Sequence, residues 1–153
     1  MDDNVDNKSK QDYLTIQIAD QRFGIPVLQI EDVLREQAVT KIPLAPPEVA
    51  GSLNLRGRIV TAINVRKRLG LPPLEKGQPC MSVVVEHGHE LFSLIIDKVG
   101  DVLSLESQLF EKNPNTLDPA WREVSTGIFQ LKDELLIIMD VSKLLENLGD
   151  NAS

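Results

Sequence analysis

The chain has 153 residues, 42% of them hydrophobic and 25% charged, enough to bury a sizeable core as one domain or as two small interlocked ones. A formal charge of -7 opposes attraction to nucleic-acid phosphates or anionic lipid, and with only 4% aromatic residues the chain has few platforms for unpaired bases. Its apolar runs are far too short to span a bilayer, the acidic N-terminus lacks the order of a signal peptide, and the single Cys80 cannot form an internal disulfide; a cytoplasmic location is expected.

Residues 1–11 are polar and mixed in charge with one apolar residue, Val5, and read as a loose tail, with order beginning near Asp12. Tyr13, Leu14, Ile16 and Ile18 partly alternate with Thr15 and Gln17, which predicts a half-buried strand. A turn at residues 19–21 then leads to a second strand over residues 22–26, forming a hairpin. Val27, Ile30 and Leu34 fall at helical spacing, so a short helix is expected over residues 27–34, followed by a short strand over residues 39–42. Pro43, Pro46 and Pro47 mark an exposed connection. Residues 50–55 and 58–64 flank Arg56-Gly57 and read as a hairpin, and residues 65–69 as a helical turn closed by Gly70. Residues 71–79, rich in Pro and Gly, divide the chain near its middle.

The second part repeats the first. Phe23, Ile25, Val27, Ile30, Asp32, Val33 and Leu34 recur 69 places on as Phe92, Leu94, Ile96, Val99, Asp101, Val102 and Leu103. Leu55, Ile59, Val60, Asn64, Val65, Lys67 and Leu69 recur 76 places on as Leu131, Leu135, Leu136, Asp140, Val141, Lys143 and Leu145, the extra residues lying around 113–121. Each half then holds about five short strands. That is too small for a sandwich and suits a five-stranded barrel, so two such barrels are expected side by side, about residues 12–70 and 79–148, with a groove at their junction and a tail over 149–153.

No motif for catalysis stands out. The pair His87 and His89 occupies a hairpin tip where only Glu86 and Glu90 could complete a metal site, so neither metal nor cofactor is expected, and no phosphate-binding loop or nucleophile elbow is present. Arg56 ends an apolar strand, where its stem can lie on the core while its guanidinium seeks a carboxylate; Asp32 is a candidate partner, the alternative being two solvated surface charges. Lys41, Arg58, Arg66, Lys67 and Arg68 make a local basic cluster, read as a solvated face or a site for an acidic helix. Leu14, Val27, Ile30 and Val33 could be core or could line the groove and receive an amphipathic helix.

The segments G-S-L-N-L-R-G-R-I-V-T-A-I-N-V-R (residues 51–66), F-G-I-P-V-L-Q-I-E-D-V (residues 23–33) and L-I-I-D-K-V-G-D-V-L-S-L (residues 94–105) resemble the CheW coupling proteins of bacterial chemotaxis. The resemblance spans residues 12–148 and implies an all-β fold of two intertwined five-stranded SH3-like β-barrels. It also implies a non-enzymatic adaptor, monomeric when isolated, that joins the cytoplasmic tip of a chemoreceptor to the regulatory domain of the histidine kinase CheA and is recruited to membrane-associated arrays without inserting into the membrane. On this resemblance the receptor site maps onto Leu14, Val27, Ile30, Asp32, Val33, Arg56 and Val99, and kinase contacts onto Met81 and Ser82. A coupling protein of a non-chemotactic system and a small-barrel nucleic-acid binder are the rival readings.

Overall fold

The computed structural model of the protein describes residues 9–146 and 148; the tail over residues 149–153 and residues 1–8 of the N-terminal tail lie outside the described residues. Among the described residues ten strands run in chain order: β1 (Lys10–Ile18), β2 (Gln21–Pro26), β3 (Ile30–Arg35), β4 (Val49–Leu55), β5 (Arg58–Asn64), β6 (Met81–His87), β7 (Glu90–Ile96), β8 (Lys98–Glu106), β9 (Ser125–Gln130) and β10 (Leu135–Met139). Short helices α1 (Val65–Arg68), α2 (Pro119–Arg122) and α3 (Val141–Leu145) and two single 3-10 turns complete the fold. Ordered strand begins at Lys10, two residues before the expected start.

The strands form two five-stranded sheets, ordered β8-β1-β2-β10-β9 and β3-β6-β7-β5-β4. Each sheet thus draws strands from both sides of residues 71–79. The internal repeat accounts for this pattern pair by pair. Leu14 faces Val102 in one sheet and Val33 faces Val83 in the other, each residue lying 69 places from its counterpart. Likewise Phe23 runs parallel to Ile137, and Phe92 to Thr61. A two-fold relation therefore exchanges the sheets, and the chain crosses from one to the other at the β2–β3 and β7–β8 connections.

The core sits between the sheets and is common to both. Ile16, Ile18, Phe23 and Ile25 from one side pack with Ile63, Val83, Leu94 and Ile96 from the other, all at most 1% exposed. Burial of this many apolar side chains, each worth about 1.5–3 kcal/mol, is the main force holding the halves together. The helix entries match as well: the side chains of Asn64 and Asp140 accept hydrogen bonds from the backbone N–H of Lys67 and Lys143, both at 3.1 Å.

Three expectations are corrected. The helix over residues 27–34 is only a 3-10 turn, Val27–Gln29; from Ile30 the chain is strand, with Ile30, Asp32 and Leu34 turned inward and Glu31, Val33 and Arg35 outward. The polar Asp32 in an inward place hides the period-two pattern, leaving Ile30 and Leu34 to mimic a helix. The strand over residues 39–42 is reduced to one bridge, Thr40 to Ser52. The barrels, finally, are not closed by continuous ladders: among the described residues β3 and β4, and β8 and β9, share no ladder, and the segments that connect them reach β4 and β9 through that bridge and its counterpart, Glu111 to Ile128.

Both bridges need glycine. A Cβ on Gly51 would lie 2.4 Å from the Thr40 carbonyl oxygen, and one on Gly127 would lie 2.2 Å from the Phe110 ring and 2.5 Å from the Glu111 carbonyl oxygen. Gly127→Ala is expected to destabilise the protein by about 1–3 kcal/mol through this clash, while an alanine at the open Gly77 is held to a smaller loss set by its positive φ. Urea unfolding of both variants tests this, and equal stability loss in the two would contradict the closure role.

Candidate functional site

The β4–β5 turn places Arg56 opposite Asp32 of β3. Both turn residues are left-handed, Arg56 at φ 52° and Gly57 at φ 85°, which suits a tight hairpin, and the Asn54 side chain accepts the Gly57 N–H at 2.9 Å. Strands β3 and β4 are the two ends of one sheet, so the Arg56 Nη2 to Asp32 Oδ2 contact of 2.9 Å spans the seam of that barrel. Asp32 Oδ1 accepts the Val33 N–H at 2.8 Å. The guanidinium meets Oδ2 off the hydrogen-bonding direction, so this buried oxygen has an ionic partner and no directed hydrogen bond. Arg56 remains 75% exposed, and an ion pair so open to water adds at most about 1 kcal/mol to stability. The pair therefore fixes a charge at the surface more than it holds the fold.

The apolar candidates separate by depth. Leu14 belongs to the core at 7% exposure; Val27, Ile30 and Val99 are half-buried and pack against that same core cluster. Val33 lies on the outward face of β3 and is 37% exposed. Val99 faces Ile16 across β8 and β1, while its repeat counterpart Ile30 faces Val85 across β3 and β6. Met81 is half-buried at the start of β6, and Ser82, 3% exposed, turns into the barrel interior.

Two interactions escape the sequence reading. Arg66 grips Asp97 with Nε at 2.8 Å and Nη2 at 2.7 Å, and its Nη1 donates to the Pro72 carbonyl. The Ala19 N–H also donates to Asp97 Oδ2 at 2.8 Å. Asp97 sits at the β7–β8 crossover, so this clamp ties the β1–β2 turn of one sheet to α1 beside the other. Arg68 is 8% exposed and donates to the carbonyls of Leu144 and Lys143, capping α3. The basic cluster is therefore not one solvated face: Lys41, Arg58 and Lys67 are exposed, whereas Arg66 and Arg68 are structural. No local spacing signals that Arg66 and Asp97 meet, since they lie 31 residues apart.

His87 and His89 lie at the β6–β7 turn, with His87 Nδ1 3.5 Å from the Ser142 hydroxyl. Among the described residues no group of three or more His, Cys, Asp or Glu side chains is placed to hold a metal, and no helix is long and apolar enough to cross a membrane.

The class defined by this architecture is a pair of interlocked small barrels that share one core and display a charged seam beside half-buried apolar residues. The CheW-like domain family matches residues 12–149. A chemotaxis protein CheW of Klebsiella aerogenes is 28% identical over 90% of this chain and 82% of its own length. One from Thermotoga maritima is 29% identical over 88% of this chain and 87% of its own. The crystal structure of the scaffolding protein TtCheW from Thermoanaerobacter tengcongensis superposes with a TM-score of 0.81 at 26% identity, covering 92% of this chain and 96% of that one. The chain belongs to the CheW family and is an adaptor of the chemotaxis coupling class.

The clamp gives stability a pH dependence. Burial pushes the Asp97 carboxyl up, but the Arg66 hydrogen bonds, the Ala19 N–H and the nearby positive charges more than offset this and hold it below the usual carboxylate range. A carboxyl lowered on folding contributes stability above its unfolded value, near about 4, and loses it as pH falls through the lower folded value. Asp97→Asn is expected to cost about 1–3 kcal/mol at neutral pH, because it leaves the half-buried Arg66 without its anion. The gap to the parent should narrow below about pH 4. Denaturation midpoints at several pH values measure this, and a gap that stays constant into acid would refute it.

Proposed function

We propose that this adaptor couples a chemoreceptor to the kinase CheA from two separate surfaces. One is the barrel seam and the apolar surface beside it. An amphipathic helix from the receptor tip lies against Val27, Ile30, Val33 and Val99, with Leu14 as the floor beneath them, while Arg56 and Asp32 set its direction. The observation that carries this reading is the Arg56 guanidinium, paired with Asp32 at 2.9 Å yet 75% exposed, so that it can meet a second carboxylate without leaving the first. Half-buried valine and isoleucine side chains next to a charge offer the mixture of anchor and orienting contact that helix docking uses.

The kinase surface is the start of β6, at Met81 and Ser82. Because Ser82 points inward, the contact there runs through backbone and through Met81. Each contact is modest in area, and repetition within an array supplies the strength that a single one lacks. Recruitment to arrays at the membrane follows from receptor binding and needs no insertion.

Arg56→Glu is expected to weaken receptor binding by about tenfold, equivalent to about 1.4 kcal/mol, through repulsion by Asp32 and loss of the guanidinium. Kinase control in a reconstituted receptor, CheA and adaptor mixture should drop with it, while the thermal midpoint stays close to the parent value. Unchanged receptor affinity in a variant of normal stability would remove the seam from the binding site.

A further inference from the structure

The internal two-fold relation allows the two barrel interiors to be compared side chain by side chain, and they differ. In the barrel of β1, β2, β8, β9 and β10, Tyr13, Phe129, Leu136 and Ile138 form a compact buried cluster, with the Tyr13 and Phe129 rings edge to face at 5.4 Å. The Tyr13 hydroxyl donates to Gln11 Oε1 at 3.3 Å. The counterparts in the other barrel are Ser82 for Tyr13, Leu53 for Phe129, Val60 for Leu136, Ala62 for Ile138 and Cys80 for Gln11. Every replacement is smaller.

The packing records the difference. A Cβ added at Gly24 would lie 3.0 Å from Ile138 Cδ1 and 3.4 Å from Tyr13 Cβ, so that position is full. Its counterpart is Ser93, accommodated at 1% exposure. On the packed barrel Tyr13 and Ile138 floor an open depression of about 310 Å³ that does not reach Gly24 or Phe129, whereas on the other a cavity of about 200 Å³ reaches inward to their counterparts Ser93 and Leu53, lined also by Ala62, Cys80 and Ser82, with the exposed Glu36 and Gln37 at its rim.

We propose that this cavity binds a neutral, monocyclic phenol, its ring taking the place that the Tyr13 ring holds in the other barrel and its hydroxyl lying toward Cys80, as the Tyr13 hydroxyl lies toward Gln11. A cavity of about 150 Å³ lined by hydrocarbon already admits benzene, and this one is larger. The hydroxyls of Ser82 and Ser93 and the Cys80 thiol give it polar groups that a bare ring would leave unused. The surroundings select against anions: burial first, and then the charges of Glu36 and Asp97, push the Cys80 thiol up, so it stays protonated and faces a negative field. The cavity shares Ser82 with the kinase surface proposed above, and none of its lining residues belongs to the receptor surface.

The test uses the full chain and phenol itself, followed by amide chemical shifts and by the rate at which a thiol reagent modifies Cys80. Saturable shifts confined to β6, β7 and residues 36–39, 53 and 62, together with slower Cys80 modification, are expected. Ala62→Ile, which restores the residue of the packed barrel, should weaken phenol binding by about tenfold or more, and benzoate should bind at least as weakly. Absence of saturable shifts up to the solubility of phenol, shifts elsewhere on the surface, or equal binding of benzoate would overturn the proposal. If Ala62→Ile does not fold, protection of Cys80 by phenol in the parent chain decides the matter alone, since no protection overturns it.

Discussion

Neither half of this chain contains a complete sheet. Strands β1 and β2 pair with β8 and β10, and strands β6 and β7 with β3 and β5, so each parallel pairing joins residues on opposite sides of the 71–79 connection. The apolar faces can be covered only when both sheets are in place, because Ile16, Phe23, Ile63, Leu94 and Ile137 bury one another in a single cluster. The crossovers are where such an arrangement is most exposed to strain and misplacement, and the Arg66 to Asp97 clamp stands at one of them. A bidentate ion pair with additional backbone partners is the kind of buried charge arrangement whose geometry repays its desolvation.

Much of this was legible in the order of residues. The offsets of 69 and 76 name corresponding strands correctly, because apolar alternation and the helix entries at Asn64 and Asp140 survive in both copies. The hairpins at Arg56-Gly57 and His87-Gly88-His89 are fixed by local turn chemistry and lie where they were expected. Exchange of strands between sheets was not legible, since a repeat says which segments are alike and not which of two equal partners each one meets. The β3 strand was misread for a different reason, an acidic residue occupying an inward position.

The site shows the same division. Asp32 could be offered as a candidate partner for Arg56 with two solvated charges as the alternative, whereas the burial of Arg68 against the α3 carbonyls depends on a contact 76 residues away. At the charged positions the internal symmetry is only partly kept, with acid matching acid and base matching base at the seam but not at the clamp. The counterparts of Asp32 and Arg56 are Asp101 and Lys132, both exposed, and the counterpart of Asp97 is Leu28, which is 90% exposed. Apolar packing has kept the two copies alike, while the clamp and the barrel interiors have taken separate courses.

The backbone at Arg56 carries a meaning of its own. A left-handed conformation costs an ordinary residue about 1–2 kcal/mol that glycine would not lose. The side chain recovers little of this, being mostly in water. A chain shaped for persistence alone would place glycine or asparagine at this tip and be the sturdier for it. What the strained arginine supplies instead is a rigid mount: with its main chain held in a narrow basin and one guanidinium nitrogen, Nη2, held by Asp32, the cation is presented with less freedom than an arginine on an ordinary loop, so an acid that meets its remaining nitrogens brings a smaller loss of entropy.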